Sequence, residues 1–372
     1  MTAEPAGLAI DAFRRGATAD VDRFLAELPE VPIVEGRYCT FLFRCEADEV
    51  RLVQRIVGLP HRLPMRRLPG TDLWYVVLDV PEGSRINYQL EVRRGGHAEV
   101  INDPLNPKHS HSPFGSQSVC FAYGYTIPEW TQPDPSAPPG ALHHVVLDSA
   151  ALGREAAVTV YLPARAAPDY PLLVVHDGGD FLQYAAAKTV LDNLIHRGEL
   201  APTVVAFLHP KDRLVEYADS ADHGRFVTDE LVPRLAAEYP LAPERCLLGA
   251  SFGGVAALST AARYPGMYGS LVLLSGSFVS TEHGRRHGAG PVFEPVMTFV
   301  DGFRAHPRRV ADRMFVSCGV YEPLFVPNRT MLPVFESTGA DVRYVEARDG
   351  HTWENWRDRL RDALTWIFPG GR

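Results

Sequence analysis

The sequence predicts an α/β protein with two domains, an antiparallel β-sandwich followed by a domain built on a mostly parallel, eight-stranded sheet. Two observations predict this class. Apolar and polar residues alternate in short segments over the first third of the chain, whereas near-continuous apolar segments separated by helix-length stretches fill the rest. Between the two patterns, residues 131–140 contain four prolines with glycine and serine, a composition typical of a stiff linker.

The first predicted domain covers residues 1–130. Apolar residues recur at helical spacing up to about residue 28, which predicts a helical start. The alternating segments that follow are separated by proline- and glycine-containing turns, and they are typical of half-buried strands. They lie at residues 38–42, 50–52, 73–78 and 85–90.

The second predicted domain covers residues 141–372. Eight apolar segments predict its strands, at 144–147, 157–162, 172–175, 204–208, 246–248, 271–274, 314–318 and 342–345. The helix-length stretches lie at about 182–197, 223–238, 252–264, 292–305, 328–338 and 353–367. Strands that are apolar along their whole length indicate a sheet covered on both faces.

Composition excludes several functional classes. The chain has 372 residues, 46% of them hydrophobic, and a formal net charge of -8, which argues against a broad nucleic-acid-binding surface. We expect no secretory signal and no membrane span. The five cysteines are scattered and form no CxxC pair, so we predict no metal site, no cofactor, no disulfide framework and a cytoplasmic location. The oligomeric state stays open.

A candidate nucleophile lies between a predicted strand and a predicted helix. Residues 249–254 read Gly-Ala-Ser-Phe-Gly-Gly, after the apolar segment 246–248 and before a helix rich in alanine and leucine. This is the pattern of a nucleophile elbow, a tight turn that exposes a serine hydroxyl above the sheet. The pattern therefore predicts Ser251 as the nucleophile of an α/β-hydrolase fold.

A serine nucleophile needs a general base, usually a histidine that follows it in the chain. His351 comes directly after the last predicted strand and starts the final helix, which places it at the carboxyl edge of the sheet. His283, His287 and His306 also follow Ser251, but they lie in polar loops or a helix connection. We therefore predict His351 as the base.

The acid that orients the base should follow a strand between the nucleophile and the histidine. Glu322 fits, since the strand at 314–318 is followed by Gly-Val-Tyr-Glu. Asp349 is the rival, but it lies only two residues from His351. Asp341 lies at the wrong end of its strand.

The oxyanion hole needs two backbone donors. We predict the amide of Phe252 as one donor and the amide of Gly179 or Asp180 as the other, because a strand at 172–175 runs into His-Asp-Gly-Gly-Asp. His176 and Asp177 precede these glycines, and we interpret them as structural.

These motifs together resemble the esterase D-like family, and within it the enterochelin (ferric enterobactin) esterases. The resemblance rests on residues 176–179, 249–254, 319–322 and 350–356, and on 213–217 followed by Phe226 and 230–233. Residues 65–75 and 103–107 are similar to that family's N-terminal immunoglobulin-like domain, so the resemblance covers most of the chain.

The resemblance implies hydrolysis of the ester bonds of a siderophore trilactone, with release of iron inside the cell. Such a substrate is anionic, so Arg213, Arg285 and Arg286 are candidate substrate-binding residues. Trp353, beside the predicted base, is a further candidate.

Two other functions stay open. A carbohydrate esterase of feruloyl or acetyl type would use the same catalytic residues beside a glycan-binding-like first domain. A non-catalytic binding protein on the hydrolase fold would require a broken triad. The substrate of either esterase is a small-molecule ester.

Overall fold

The computed structural model describes residues 7–15, 20–287 and 290–371, which divide into two compact units. The first unit runs to Ile127 and also contains two later segments, Val320–Glu322 and Ala347–Thr352. The second unit contains Pro128–Gly319, Pro323–Glu346 and the chain from Trp353 onwards.

The first unit is built from two short helices and two antiparallel sheets. Its helices are α1 (Ala9–Arg15) and α2 (Val21–Glu27). Its strands are β1 (Ile33–Glu35), β2 (Tyr38–Arg44), β3 (Glu49–Val53), β4 (Arg62–Pro64), β5 (Arg66–Arg67), β6 (Leu73–Asp79), β7 (Arg85–Arg94), β8 (His97–Ile101), β9 (His109–Ser112) and β10 (Gly115–Phe121). One sheet has the order β1-β2-β6-β5 and the other β4-β3-β7-β10-β9, with β8 paired to β7.

The two sheets of this unit share one core. Phe41 and Trp74 from the first sheet pack with Leu52 and Leu90 from the second. Burying a side chain of this size contributes about 1.5–3 kcal/mol relative to leaving it exposed. The alternation in the sequence has this cause, because every second side chain of a strand such as β3 is buried.

The second unit carries an eight-stranded sheet with helices. Its strands are β11 (Ala141–Ser149), β12 (Arg154–Leu162), β13 (Tyr170–Val175), β14 (Val204–His209), β15 (Leu241–Ala250), β16 (Ser270–Leu274), β17 (Arg313–Gly319) and β18 (Asp341–Ala347). The helices are α3 (Gly178–Tyr184), α4 (Ala187–His196), α5 (Arg213–Glu216), α6 (Ala221–Arg225), α7 (Val232–Glu238), α8 (Phe252–Arg263), α9 (Thr281–His287), α10 (Glu294–Ala305), α11 (Phe325–Ser337) and α12 (Trp353–Ile367). A π-helical turn, Phe226–Leu231, joins α6 to α7.

The strand order in this sheet is β11-β12-β14-β13-β15-β16-β17-β18. The pairs β11–β12 and β12–β14 are antiparallel, whereas the pairs from β14 through β13, β15 and β16 to β17 are parallel. The sheet is therefore mixed, with its parallel strands grouped together. Their carboxyl ends lie along one edge, which is where loops of an α/β sheet carry functional residues.

Both faces of this sheet are covered. In β13, Leu172 and Val174 join one core cluster, while Leu173 and Val175 join the other. The central strand β13 is consequently apolar at every position from Leu172 to Val175, as the sequence pattern predicts. Across the described ranges, no helix combines the length and the apolar character that a membrane crossing requires.

Candidate active site

Ser251 lies alone between β15 and α8, in the strand-to-helix turn that the sequence predicts. Its backbone has φ 57° and ψ -122°, a strained combination for a residue with a side chain. The turn holds this conformation through backbone bonds. The Ser251 amide donates to the Leu274 carbonyl at 2.9 Å, and the Ser251 carbonyl accepts from the amides of Gly254 and Ser277 at 3.0 and 2.9 Å.

Glycine at position 249 is a steric requirement of this turn. A Cβ atom at Gly249 would lie 2.0 Å from the carbonyl oxygen of Gly253, far inside van der Waals contact. At Gly253 a Cβ atom would lie 3.1 Å from the His176 Cβ. The strand and the helix can therefore cross this closely only without a side chain at the first of these positions.

The hydroxyl of Ser251 is half-buried, and its Oγ lies 3.2 Å from the Oγ of Ser277. The amide of Phe252 is in the first turn of the twelve-residue α8, where amides have no acceptor within their own helix. The helix dipole favours negative charge at this position. An oxyanion formed at Ser251 would therefore lie in a favourable field.

The predicted acid and base meet within the first unit. His351 Nδ1 is hydrogen bonded to Glu322 Oε2. The Glu322 side chain is fully buried and that of His351 is 33% exposed, so the acid is shielded from water while the ring can be reached. In the neutral ring, a proton donated from Nδ1 to this carboxylate leaves Nε2 as the acceptor that the predicted base requires.

Asp349, the rival acid, is occupied by other partners. Its Oδ1 accepts from Arg85 Nη1 at 3.2 Å and from the Gly350 amide at 2.6 Å. The geometry thus favours Glu322 over Asp349 as the partner of His351, while the catalytic roles of both triad residues stay predictions.

The predicted second oxyanion donors lie in the first turn of α3. This helix begins at Gly178, so Gly179 and Asp180 are its second and third residues. Asp177 precedes it in the left-handed conformation, at φ 55°. Burial raises the pKa of Asp180, with a further rise from the charge of Asp177. The use of either amide as an oxyanion donor stays a prediction.

Arg213 holds the loop before α3. Its Nε and Nη2 each donate to the Asp177 carboxylate at 2.7 Å, and Nη2 lies 3.4 Å from the Ala250 carbonyl. Burial raises the pKa of Asp177, and the guanidinium opposes that shift. The side chain of Arg213 is 33% exposed. The structure thus shows a link between this loop and the elbow, and a contact of Arg213 with substrate stays a prediction.

A pair of buried histidines lies behind the elbow. His176 Nδ1 donates to the Leu248 carbonyl at 2.9 Å, and His176 Nε2 lies 3.1 Å from His223 Nε2. Because a carbonyl only accepts, His176 Nε2 is the acceptor of a proton from His223. Burial lowers the pKa of His176 to about 4, and it lowers that of His223 as well. Both rings are therefore neutral structural groups, in agreement with the structural interpretation of His176.

The other predicted substrate-binding residues lie in different surroundings. Trp353 is 8% exposed and packs against Phe181, with ring centroids 5.2 Å apart. Arg285 is exposed on α9. The backbone of Arg286 is in the same helix, but its side chain lies outside the described residues. Binding roles for these three residues stay predictions.

Sequence reasoning missed Ser277, Tyr217 and His223 as neighbours of the site. Tyr217 accepts a hydrogen bond from the Asp177 amide at 3.0 Å. The three residues lie in loops or short helices and are brought in by packing. No periodic pattern or spacing in the sequence marks such residues. The only available signal was that they are polar and lie near a predicted motif in the chain.

Several known proteins similar to this chain are named as esterases. The Esterase family model matches residues 149–304, a range that includes Ser251. An iron(III) enterobactin esterase of Escherichia coli O6:H1 is 25% identical over 335 residues, which cover 81% of this chain and 80% of the relative. An iron(III) enterobactin esterase of Dickeya dadantii is 26% identical, covering 82% of this chain and 79% of the relative.

A solved structure shares the fold. The crystal structure of the enterobactin esterase from Shigella flexneri in the presence of enterobactin superposes with a TM-score of 0.72, covering 89% of this chain and 92% of that chain. Its sequence identity is 22%.

Fold, family match and relatives together define the class: the chain is an ester hydrolase with an α/β-hydrolase-like fold. The chain is similar to iron(III) enterobactin esterases over 81% and 82% of its length, in agreement with the resemblance carried by the motifs.

Proposed function

We propose that the chain is a serine esterase that hydrolyses the ester bonds of a catecholate siderophore trilactone, through an acyl-serine intermediate. The observation that carries the substrate is the similarity to iron(III) enterobactin esterases over four fifths of the chain. The observation that carries the mechanism is the strained Ser251 turn together with the bond between Glu322 and His351.

The proposed reaction has two steps. Ser251 Oγ attacks the ester carbonyl carbon, its proton passes to His351 Nε2, and the carbonyl oxygen becomes an oxyanion. The amide of Phe252, with that of Gly179 or Asp180, stabilises this charge. The C–O bond then breaks and the leaving alcohol takes the proton from His351. A water molecule gives a proton to His351 and attacks the carbonyl carbon of the acyl-serine. The bond from this carbon to Ser251 Oγ breaks, Oγ takes the proton back from His351, and the acid is released.

The nucleophile is tested with a fluorophosphonate probe. We expect the wild type to be labelled and Ser251→Ala to remain unlabelled, because the probe reacts with an activated serine. Ser277→Ala is the matched control, since its hydroxyl lies 3.2 Å from Ser251 Oγ, and it should keep its label. Labelling of Ser251→Ala would remove Ser251 from the mechanism.

The acid is tested with Glu322→Gln. Glutamine fills the same buried space but cannot stabilise a charged imidazole, so we expect kcat to fall by about 10²- to 10⁴-fold. Glu346→Gln is the control, because Glu346 lies on β18 in an ion pair with Arg329. An unchanged rate for Glu322→Gln would refute its role.

The substrate class is tested by turnover of ferric enterobactin, followed by chromatography of the released products. A feruloylated oligosaccharide is the competing substrate, because feruloyl esterase is the alternative function. We expect the trilactone to be cleaved. Cleavage of the sugar ester alone would overturn the proposed substrate.

The first unit and the location of the protein complete this proposal. We infer an immunoglobulin-like sandwich, supported by two antiparallel sheets that share a core, and a domain boundary in residues 131–140. None of the five cysteines, all of which lie in the described ranges, forms a disulfide, which supports a cytoplasmic location.

A further inference from the structure

The candidate acid and base are parts of the same compact unit as the two antiparallel sheets. Val320–Glu322 continues the chain from β17, and Ala347–Thr352 contains the end of β18 and the turn before α12. Within this unit the two segments are tied to each other. The Val320 amide donates to the Ala347 carbonyl at 2.8 Å, and the Tyr321 amide donates to the Asp349 carbonyl at 3.0 Å.

Tyr321 anchors the acid segment. Tyr321 is 6% exposed and belongs to the core cluster of the two sheets, which also contains Cys39 and Phe41. Its hydroxyl lies 2.7 Å from the Oγ of Ser84, the residue before β7. Glu322 therefore follows a residue that is fixed at both its backbone and its side chain.

Arg85, the first residue of β7, holds the histidine segment. Its amide donates to the Arg348 carbonyl at 2.9 Å. Its Nη1 donates to Asp349 Oδ1 at 3.2 Å and to Thr352 Oγ1 at 3.1 Å. These contacts reach residues on both sides of His351.

The environment of Arg85 makes these contacts strong. The side chains of Arg85 and Asp349 are 2% and 7% exposed, so the ion pair is shielded from water and salt. Asp349 Oδ1 also accepts from the Gly350 amide at 2.6 Å. This bond restrains the backbone of the residue next to His351.

We propose that Arg85 is a positioning residue for the acid–base pair, holding the turn of residues 349–352 so that His351 stays on Glu322. This inference rests on the proposed serine mechanism. It assigns the first β-sheet unit a part in catalysis through one buried ion pair, besides any part in substrate binding.

The test compares Arg85→Met, Arg85→Lys and Asp349→Asn with the wild type, using p-nitrophenyl acetate and active sites titrated with a fluorophosphonate. We expect Arg85→Met and Asp349→Asn to lose about 100-fold in kcat, since small displacements of a catalytic group have effects of this size. KM should stay within about twofold, because no contact with the ester is removed. Lysine keeps the charge and should restore kcat to within about tenfold of the wild type.

Arg62→Met is the matched control. Arg62 is in the same unit and its Nε pairs with Glu91 at 2.5 Å, and neither residue belongs to the two loop segments. We expect unchanged kcat and KM. Normalising to titrated sites removes any effect of a smaller folded fraction. If Arg85→Met does not fold, Asp349→Asn carries the same comparison, with Arg85→Lys as the conservative variant.

A second measurement separates this inference from the serine mechanism. Hydrogen–deuterium exchange of the peptide covering residues 347–356 should rise in Arg85→Met and stay at the wild-type rate in Arg62→Met. Faster exchange with an unchanged kcat would overturn the positioning role, and so would unchanged exchange. The serine mechanism would be refuted if the wild type had no esterase activity, or if Ser251→Ala kept the wild-type activity. This outcome does not depend on the exchange result.

Discussion

Replacing His176 by glutamine should reduce the loss in free energy of unfolding that the second unit shows between neutral pH and pH 5. The imidazole is completely buried, donates from Nδ1 to Leu248, and faces His223 through Nε2. A second proton on His176 would have to be placed on Nε2, against the neighbouring ring. Glutamine retains one donor and one acceptor but cannot take up a proton.

The magnitude follows from the pKa of His176. Burial lowers it from 6.5 to about 4. Between these two pH values the imidazole is protonated in the unfolded chain and neutral in the folded chain. Stability associated with this group is therefore fully present above pH 6.5 and is lost as the pH falls towards 4. At pH 5 the loss is about 2 kcal/mol relative to neutral pH.

The assay is urea unfolding followed by tryptophan fluorescence at pH 7.5, 6.5, 5.5 and 5.0. Four of the five tryptophans, all except Trp74, lie in the second unit, so the signal reports mainly on the unit that contains His176. We expect the wild type to lose about 2 kcal/mol more than His176→Gln between pH 7.5 and 5.0. The exposed His196, replaced by glutamine, is the control. Parallel pH curves for the wild type and His176→Gln would refute the reasoning.

Two further predictions concern the elbow and the loop beside it. Gly249→Ala should destabilise the second unit by about 3 kcal/mol or more, because its methyl would lie 2.0 Å from the Gly253 oxygen. Gly302→Ala is the control. Gly302 is exposed in α10 with nothing within 4 Å of an added methyl, so this change should raise stability by about 0.5–1 kcal/mol. Thermal unfolding distinguishes them, and equal stability of the two variants would contradict the clash. Arg213→Met should cost about 3–5 kcal/mol by leaving the Asp177 carboxylate buried without its partner. Adding Asp177→Asn should restore much of that loss in urea unfolding, and a double variant no more stable than the single one would show that the pair is unimportant.

The sequence predicts the elements of the second unit well, because their signals are local. A strand buried on both faces is apolar along its whole length, so the segments around Leu173 and Leu247 were identifiable without a structure. The elbow at Ser251 combines a strand, small residues and a helix within about twenty residues. The predicted acid and base follow Ser251 in the chain order of an α/β-hydrolase, and each comes after a predicted strand.

Other features depend on contacts between residues that are far apart in the chain. Arg85 and Asp349 are 264 positions apart, and Arg213 and Asp177 are 36 apart. Neither pair has a spacing that a pattern could detect. The sequence suggested Arg213 as a substrate contact. It could not distinguish an arginine that binds substrate from an arginine that pairs with a buried aspartate.

The sequence by itself predicted the proposed chemistry: an elbow that presents Ser251, a glutamate and a histidine in the expected order, and a resemblance that points to a siderophore ester. Tertiary structure alone decided which groups hold that chemistry in place. Local backbone preferences and apolar periodicity are encoded within a few residues. Buried polar pairs such as Arg85 and Asp349 form only in the folded chain, because a buried donor no longer has water as a partner and needs an acceptor from the protein.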